Sequence, residues 1–271
     1  MVDYYKLDKI FVQGVTYTLP ADRFYVIDAI GTDAATNAYL KIDGVDTGKV
    51  IADLAPLHKR TTNLLGPLSL KGLEYVVPPN KVFTVEGPAG AKIRCKGLIG
   101  RLAPGEGMPS PWPSRFAEQG KHYRTYIYGV ATLAAAGGSW PAGAVTEVLS
   151  LTPKTIEEYT LNSVVMALLE NAAAAPVEGD VAIRFNLDGV PLDILTTGPG
   201  KLGVDYYSMP KPPAETTEME PFTLEDRPIR VQGDHTLRID AVNTKGAAIA
   251  ASSTAAMTMK VWAVVEYAMK G

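Results

Sequence analysis

The segment Tyr39-Leu40-Lys41-Ile42-Asp43-Gly44-Val45 has a counterpart 145 residues later, Ile183-Arg184-Phe185-Asn186-Leu187-Asp188-Gly189-Val190. In both segments apolar and polar residues alternate before an Asp-Gly pair, the pattern of a strand that ends in a hairpin turn. Other segments repeat in the same order, with offsets that drift as loop insertions would make them drift. These are Tyr17-Thr18-Leu19 with Tyr159-Thr160-Leu161, Phe24–Ile30 with Val164–Leu169, and Val76–Val85 with Arg230–Ile239. The sequence therefore predicts one module present twice.

The same alternation recurs along the chain and predicts short strands separated by turns that contain Gly, Pro, Asn or Asp. Glycine and proline are frequent, at 25 and 20 of 271 residues, which favours many turns. The predicted fold class is all-β, with two tandem antiparallel β-sandwich modules of jelly-roll type related by the internal repeat. The predicted strands are residues 81–85, 91–95, 123–128, 181–187, 236–239 and 257–267.

One segment carries conflicting signals. Residues 155–175 contain many good helix formers, including a run of four alanines from Ala172 to Ala175, and propensity alone favours a helix. Its counterpart in the first repeat, Thr16–Ala29, has Pro20 at its centre, followed by the strand-like Phe24–Ile27. We therefore predict that Tyr159–Glu170 is extended.

The repeat and the distribution of proline set the predicted domain boundaries. The first sandwich spans residues 1–102 and the second spans residues 145–271. Between them, residues 103–144 form a connector that is rich in Pro and Gly and carries one strand. The second sandwich also contains a long polar loop at 209–221, with four prolines, and interaction sites are common in such surface loops.

Composition excludes several classes of partner. The formal net charge is −3, from 26 basic and 29 acidic residues without a Lys/Arg block, which argues against nucleic acid and anionic membranes as partners. The N-terminal residues lack the apolar core of a secretory signal. No stretch reaches the roughly 18 apolar residues that a membrane span needs. We therefore expect synthesis in a cytoplasm without a leader or a transmembrane segment.

Signs of catalysis or metal binding are sparse. The single cysteine, Cys95, excludes an internal disulfide and a cysteine-based zinc site. His58, His122 and His235 lack the spacing of metal ligands. No phosphate-binding glycine loop or nucleophile elbow is present. The Asp-Gly-Val segments lack the further oxygen ligands of a calcium loop. We predict no catalytic residue, metal site or cofactor.

Adjacent carboxylates do not change this conclusion. Glu157-Glu158 and Glu225-Asp226 point to opposite faces if they lie on strands, so neither pair can flank one glycosidic bond. Glu215, Glu218 and Glu220 lie in the polar loop. We interpret all of these carboxylates as solvated surface groups.

Aromatic and loop residues are the candidates for contacts with other subunits. Trp112 and Trp140 lie in proline-flanked parts of the connector, where each can either dock a partner or fasten the connector to its own chain. The N-terminal segment is either the first strand of the first sandwich or an arm that pairs with a neighbour's sheet edge. The predicted interface residues are Tyr4, Tyr5, Phe11, Trp112, Trp140, Met209 and Met219.

In these features the chain resembles tandem β-sandwich virion proteins, namely double jelly-roll capsid subunits and the cement or decoration proteins of phages and archaeal viruses. The resemblance implies a non-enzymatic structural protein of the virion that binds copies of itself and other virion proteins, without a cofactor. A trimer is favoured, because three chains with two similar modules each imitate six-fold symmetry. Double jelly-roll subunits usually have larger modules than the compact first module here.

Two other functions remain open at the level of sequence. A carbohydrate- or receptor-binding module predicts one exposed strip formed by the tryptophans and tyrosines, and glycan is then the partner. An enzyme on a sandwich scaffold requires scattered carboxylates or histidines to converge in a cleft on folding.

Overall fold

The fold is seen in a computed structural model, which describes residues 2–32, 38–42, 45–50, 68–70, 72–192, 203–210, 222–224 and 226–270. It is built almost entirely from strands, and the described residues contain one α-helix, α1, Trp112–Glu118. The strands of the first sandwich are β1 Asp3–Val12, β2 Thr16–Thr18, β3 Arg23–Thr32, β4 Ala38–Ile42, β5 Val45–Val50, β6 Leu68–Ser69, β7 Tyr75–Val77, β8 Val82–Glu86 and β9 Lys92–Arg101.

The second sandwich follows the helix. Its strands are β10 His122–Ala134, β11 Ser139–Trp140, β12 Val145–Leu151, β13 Glu157–Glu170, β14 Val181–Leu187, β15 Val190–Pro191, β16 Val204–Asp205, β17 Phe222–Thr223, β18 Ile229–Gln232, β19 Leu237–Asn243, β20 Ile249–Ala250 and β21 Met257–Met269. The described strand pairs whose register is known are antiparallel.

The strands of the first sandwich form two sheets. One sheet has the order β1-β9-β3, with β6 and β7 pairing along the far side of β3, and the other has the order β2-β8-β4-β5. Because side chains alternate across a strand, each sheet turns one row of apolar residues towards the other. Leu7 and Phe11 of β1, Ile27 of β3 and Phe83 of β8 share this buried core. This connectivity is that of a jelly roll.

The second sandwich repeats the same order. One sheet runs β10-β21-β13, with β17 and β18 along β13, and the other runs β12-β19-β14, with β15 and β16 along β14. Its core combines apolar side chains of both sheets, among them Leu161, Phe185, Ile239 and Val261. The chain therefore contains two jelly rolls in tandem.

Most segments paired by the sequence lie at matching positions in the two jelly rolls. Phe24–Ile30 lies in β3 and Val164–Leu169 in β13, and both strands are third in their sheets. The turns before β8 and β19 also agree. The Lys81 amide donates to the Pro78 carbonyl (3.3 Å) and the His235 amide to that of Gln232 (3.1 Å).

The residue before each of these donors has a positive φ, 61° at Asn80 and 69° at Asp234. Asn and Asp tolerate this left-handed conformation better than most residues.

The two Tyr-Thr-Leu segments, at residues 17–19 and 159–161, do not lie at matching positions in the two jelly rolls. Tyr17 and Thr18 lie in β2, whereas Tyr159 lies in β13, because β13 starts well before the apolar run.

The strands predicted from alternation are confirmed, and so is the extended conformation of Tyr159–Glu170, which lies within β13. The predicted connector is too long. Its strand, β10, pairs with β21 in a sheet of the second sandwich, so the connector between the two jelly rolls comprises residues 103–121. The division of the chain into two compact units passes through β10, between Tyr126 and Ile127, and through β21, between Val265 and Glu266.

Candidate assembly surface

Several exposed apolar residues of the first jelly roll lie on its β1–β9 flank. Tyr4, Ile10 and Leu98 are 47%, 46% and 39% exposed, and all three belong to the outward row of these two strands. Tyr5, at the start of β1, is also exposed, at 52%. Tyr4 and Tyr5 are therefore the predicted interface residues that the structure places on the surface.

Charged side chains lie within the same row. Lys6 is opposite Leu98, and Asp8 is opposite Lys96. The Arg94 guanidinium donates to both carboxylate oxygens of Asp8, at 2.8 and 2.9 Å. This hydrogen bonding lowers the pKa of Asp8 below its ordinary value, so the carboxylate is ionised at neutral pH. The flank therefore presents fixed charges between apolar side chains.

A small aromatic cluster covers one end of this flank. Phe24 of β3 lies over Gly100 of β9, where an added Cβ atom would come within 2.1 Å of the phenyl ring. Leu102 completes the buried cluster, and Val2, Met108 and Trp112 pack against it. Trp112 is thus half-buried and fastens the connector to the first jelly roll. Tyr4 meets the edge of the Phe24 ring at a centroid distance of 6.3 Å.

The connector also covers the opposite edge of the same sheet. The side-chain amide of Gln119, just after α1, accepts a hydrogen bond from the Val76 amide (2.6 Å) and donates one to the Val76 carbonyl (3.1 Å). Arg115 of α1 donates to the carbonyls of Glu74 (2.9 Å) and His122 (2.9 Å). Gln119 therefore satisfies backbone groups of β7 that a further strand would otherwise bind.

Three predicted interface residues are corrected by their burial, since Phe11, Trp140 and Met209 are 3%, 1% and 0% exposed. Phe11 lies on the inner face of β1, against Phe83 at a centroid distance of 4.9 Å. Met209 follows a short 3-10 turn, Tyr206–Ser208, and belongs to the second core. These side chains pack inside the jelly rolls and are not available to another subunit.

Trp140 lies in β11, which pairs with β20, and its side chain is buried. Its indole Nε1 donates to Thr146 Oγ1 (3.1 Å), and its carbonyl accepts from Asn243 Nδ2 (2.9 Å). Trp262 is buried as well, beside Tyr128. With two tryptophans in the core and Trp112 against Phe24, the tryptophans do not form the exposed strip that the glycan-binding alternative predicts. Met219 lies outside the described residues, as does the loop from 211 to 221.

The described histidines do not assemble a catalytic centre. His235 Nδ1 lies 2.6 Å from Asp188 Oδ2 at the surface of the second jelly roll. The Thr236 amide donates to Asp188 Oδ1 (2.8 Å). This backbone hydrogen bond, followed by the contact with His235, lowers the pKa of Asp188. These contacts of Asp188 with His235 and Thr236 hold two neighbouring turns together. His58 lies outside the described residues.

The charged cluster around Asp240 was not predicted from the sequence. This carboxylate is fully buried on β19, and it accepts hydrogen bonds from Asn186 and from the guanidinium groups of Arg184 (3.2 Å) and Arg238 (3.1 Å). The two-residue spacing of Arg184 with Asn186, and of Arg238 with Asp240, was the available signal, since it places each pair on one sheet face. The cluster neutralises its own buried charge.

Within the described residues, no three His, Cys, Asp or Glu side chains are grouped as metal ligands. The helix found there is too short and too polar to cross a membrane.

Comparison with known proteins gives structural neighbours. No protein-family model matches the chain, and no curated protein matches it. Among solved structures it is similar to a chain of the PBCV-1 virus capsid, with 12% identity and a TM-score of 0.34, over 99% of this chain and 95% of that one. It is also similar to PBCV-1 VP54 fitted into a reconstruction of the virophage Sputnik, with 11% identity and a TM-score of 0.36, over 100% and 95%.

A third neighbour is BuGH86 in complex with neoagarooctaose, with 7% identity and a TM-score of 0.22, over 97% of this chain and 34% of that one. At these identities and TM-scores, the assignment of the jelly-roll fold rests on the strand order of the chain itself.

Proposed function

We propose that the chain is a non-enzymatic structural protein of a viral particle, a capsid or capsid-decorating subunit that associates with copies of itself. The observation that carries the proposal is the tandem arrangement of two jelly rolls with the same strand order. This is the architecture that the double jelly-roll resemblance implies. The subunit acts in the virion, and its partners are further copies of itself and other virion proteins.

The physical basis of assembly is a preformed surface. Side chains that project from a hydrogen-bonded sheet lose less conformational freedom on association than side chains of a flexible loop, so less of the binding free energy is spent on ordering. The flank of β1 and β9 combines exposed aromatic and aliphatic groups with fixed charges. Tyrosine is enriched at protein interfaces, because its ring gives a large contact area and its hydroxyl remains polar.

Trimerisation is the expected first step. Each chain contributes two similar modules, so three chains arrange six modules around one axis and fill a six-fold position of a particle. The connector anchored by Trp112 and Gln119 ties residues 103–121 to the first jelly roll, which supports a subunit that assembles without first ordering this segment.

The test combines Tyr4→Ala and Tyr5→Ala in one chain. Light scattering measures the mass of the purified parent and of the variant, with Tyr207→Ala, an exposed tyrosine of the second jelly roll (63%), as the matched control. We expect the double variant to lose the species larger than the trimer while the control keeps them. An unchanged assembled mass in the double variant would remove the β1 tyrosines from the proposed contact.

A further inference from the structure

The first strand of the chain leaves one sheet edge open. β1 ends the order β1-β9-β3 in the part of the chain that the structure describes, and eight of its ten residues are exposed or half-buried. At the other end of this sheet, Gln119 binds the amide and the carbonyl of Val76 in β7. β1 is ten residues long, contains no proline or glycine, and pairs with β9 without a bulge. Such an edge is suited to pairing with another strand.

Other edge strands carry features that hinder such pairing. β2 has three residues, β15 has two and ends at Pro191, and β12 is interrupted by a register shift between Glu147 and Leu149. Proline and bulges are the usual means by which proteins protect sheet edges.

The backbone alternation identifies which residues of β1 face the open side. The Gln13 amide donates to the Ala91 carbonyl (2.8 Å), in the same register as the β1–β9 ladder. In an antiparallel pair the hydrogen-bonded positions alternate, so the odd-numbered residues of β1 bond to β9. The even-numbered residues direct their amides and carbonyls away from β9. In agreement, the Val12 amide donates to the Tyr17 hydroxyl instead (3.0 Å).

The side chains of these even-numbered residues are complementary to themselves in the antiparallel direction. They read Tyr4, Lys6, Asp8 and Ile10 along the strand. When a second β1 is placed antiparallel with Leu7 on the two-fold axis, Lys6 of each copy lies opposite Asp8 of the other, and Tyr4 lies opposite Ile10. Moving the register by two residues in either direction brings Lys6 opposite Lys6, or Asp8 opposite Asp8. Like charges directly opposite each other are unfavourable.

We propose that two copies of this chain associate by antiparallel pairing of β1 with β1 about a two-fold axis at Leu7, with Lys6 opposite Asp8, so that the two β1-β9-β3 sheets become continuous. Asp8 then lies between Arg94 of its own chain and Lys6 of the second copy. Tyr4, Ile10 and Leu98 lose exposed apolar surface in the contact. The amine of Lys9 is turned inward and donates to the Tyr25 hydroxyl (3.3 Å), so Lys6 and Asp8 carry the charges of the outward row of β1.

The inference deepens the proposed self-assembly by naming one partner and one register. A contact with two-fold symmetry is isologous, so each copy contributes the same patch. In a particle it joins copies that belong to neighbouring capsomers, whereas the trimer axis uses other surfaces.

The experiment reverses each charge separately and then mixes the variants. In Lys6→Asp, the new aspartate of each copy lies opposite Asp8 of the other copy. In Asp8→Lys, the new lysine of each copy lies opposite Lys6 of the other copy. We expect each variant alone to need at least about a tenfold higher concentration for β1-dependent association. An equimolar mixture restores complementary charges between unlike chains and recovers the mass of the parent. Sedimentation velocity measures the masses, and circular dichroism confirms folding.

Two further variants make the result specific. Lys154→Asp is the matched control, because it makes the same charge reversal at a side chain of the second jelly roll that is 83% exposed. Lys6→Pro removes an amide that faces the open edge and leaves the β9 ladder intact, so it tests the pairing even if Asp8→Lys, which loses the contact with Arg94, fails to fold. We expect Lys6→Pro to weaken association and Lys154→Asp to leave it unchanged.

The possible outcomes separate the inference from the proposed function. Weakened single variants with a restored mixture support the β1–β1 contact and its register. Single variants that assemble like the parent overturn the contact, while self-assembly itself stands. Weakened single variants without restoration in the mixture overturn the register with Lys6 opposite Asp8. A parent that is monomeric at every concentration overturns both proposals.

Discussion

Replacing Trp140 by alanine is expected to destabilise the second jelly roll and not to act at a subunit contact. The indole is 1% exposed, packs in the core and donates to Thr146. Truncating a buried tryptophan costs about 3–5 kcal/mol of unfolding free energy. For a domain of roughly 150 residues, each kcal/mol lowers Tm by about 2–4 °C. Trp140→Ala should therefore lower the Tm of the second jelly roll by roughly 6–20 °C.

Differential scanning calorimetry of the parent, Trp140→Ala and Trp140→Phe provides the assay. The phenylalanine variant keeps an aromatic ring in the core and loses the indole N–H, so it should fall between the other two. Tyr207→Ala is the surface control and should stay within about 0.5 kcal/mol of the parent. A Trp140→Ala chain that melts with the parent but no longer assembles would refute the reasoning, because it would make Trp140 a contact residue.

Three further predictions concern the flank, the thiol and the turns. Gly100→Val forces a side chain into the Phe24 ring and should cost about 1–3 kcal/mol in denaturant unfolding. Gly107→Ala, with open space around it, should cost far less, and equal costs would contradict the close packing. Burial raises the pKa of Cys95, so a thiol reagent should label it at the rate of unfolding; fast labelling of the native chain would contradict its burial. Because the pKa of Asp188 lies below its ordinary 3.8, its contribution to stability is present above pH 3.8 and is lost as the pH falls through the folded pKa. The Tm difference between the parent and Asp188→Asn should therefore close in acid, and a difference independent of pH would rule out this contribution.

Much of the fold could be predicted from the sequence, because the alternation of apolar and polar residues and the repeated segments predict the same strands. Helix propensity favoured a helix over Tyr159–Glu170, and the strand-like counterpart Phe24–Ile30 indicated the observed strand β13. The agreement of two matched segments is stronger than a local preference, since tertiary pairing overrides propensity. The position of β10 was harder to predict, because its partner β21 lies more than a hundred residues later in the chain.

The contact residues were less predictable, because burial depends on which element covers a side chain. Alternation places Phe11 in the same row as Leu7, and this signal was sufficient to predict its burial. Trp140 lies in a strand of two residues, which is too short to show a period. The helix α1 also escaped notice, since a seven-residue helix among prolines leaves little periodicity.

The open edge of β1 follows from the structure and not from the sequence. The alternation of β1 is visible in the sequence, but its partner β9 and the covering of the opposite edge by Gln119 are tertiary features. Once the edge is known, the order Tyr4, Lys6, Asp8, Ile10 predicts the register in which two copies of β1 pair. The sequence alone does not supply this prediction.

The most direct measurement is the absolute mass of the purified parent chain by light scattering across a wide concentration range. The account predicts a stable species at three times the chain mass of 29.0 kDa, with larger species that grow with concentration as β1 edges pair. A mass that stays at 29.0 kDa at every concentration would contradict self-assembly.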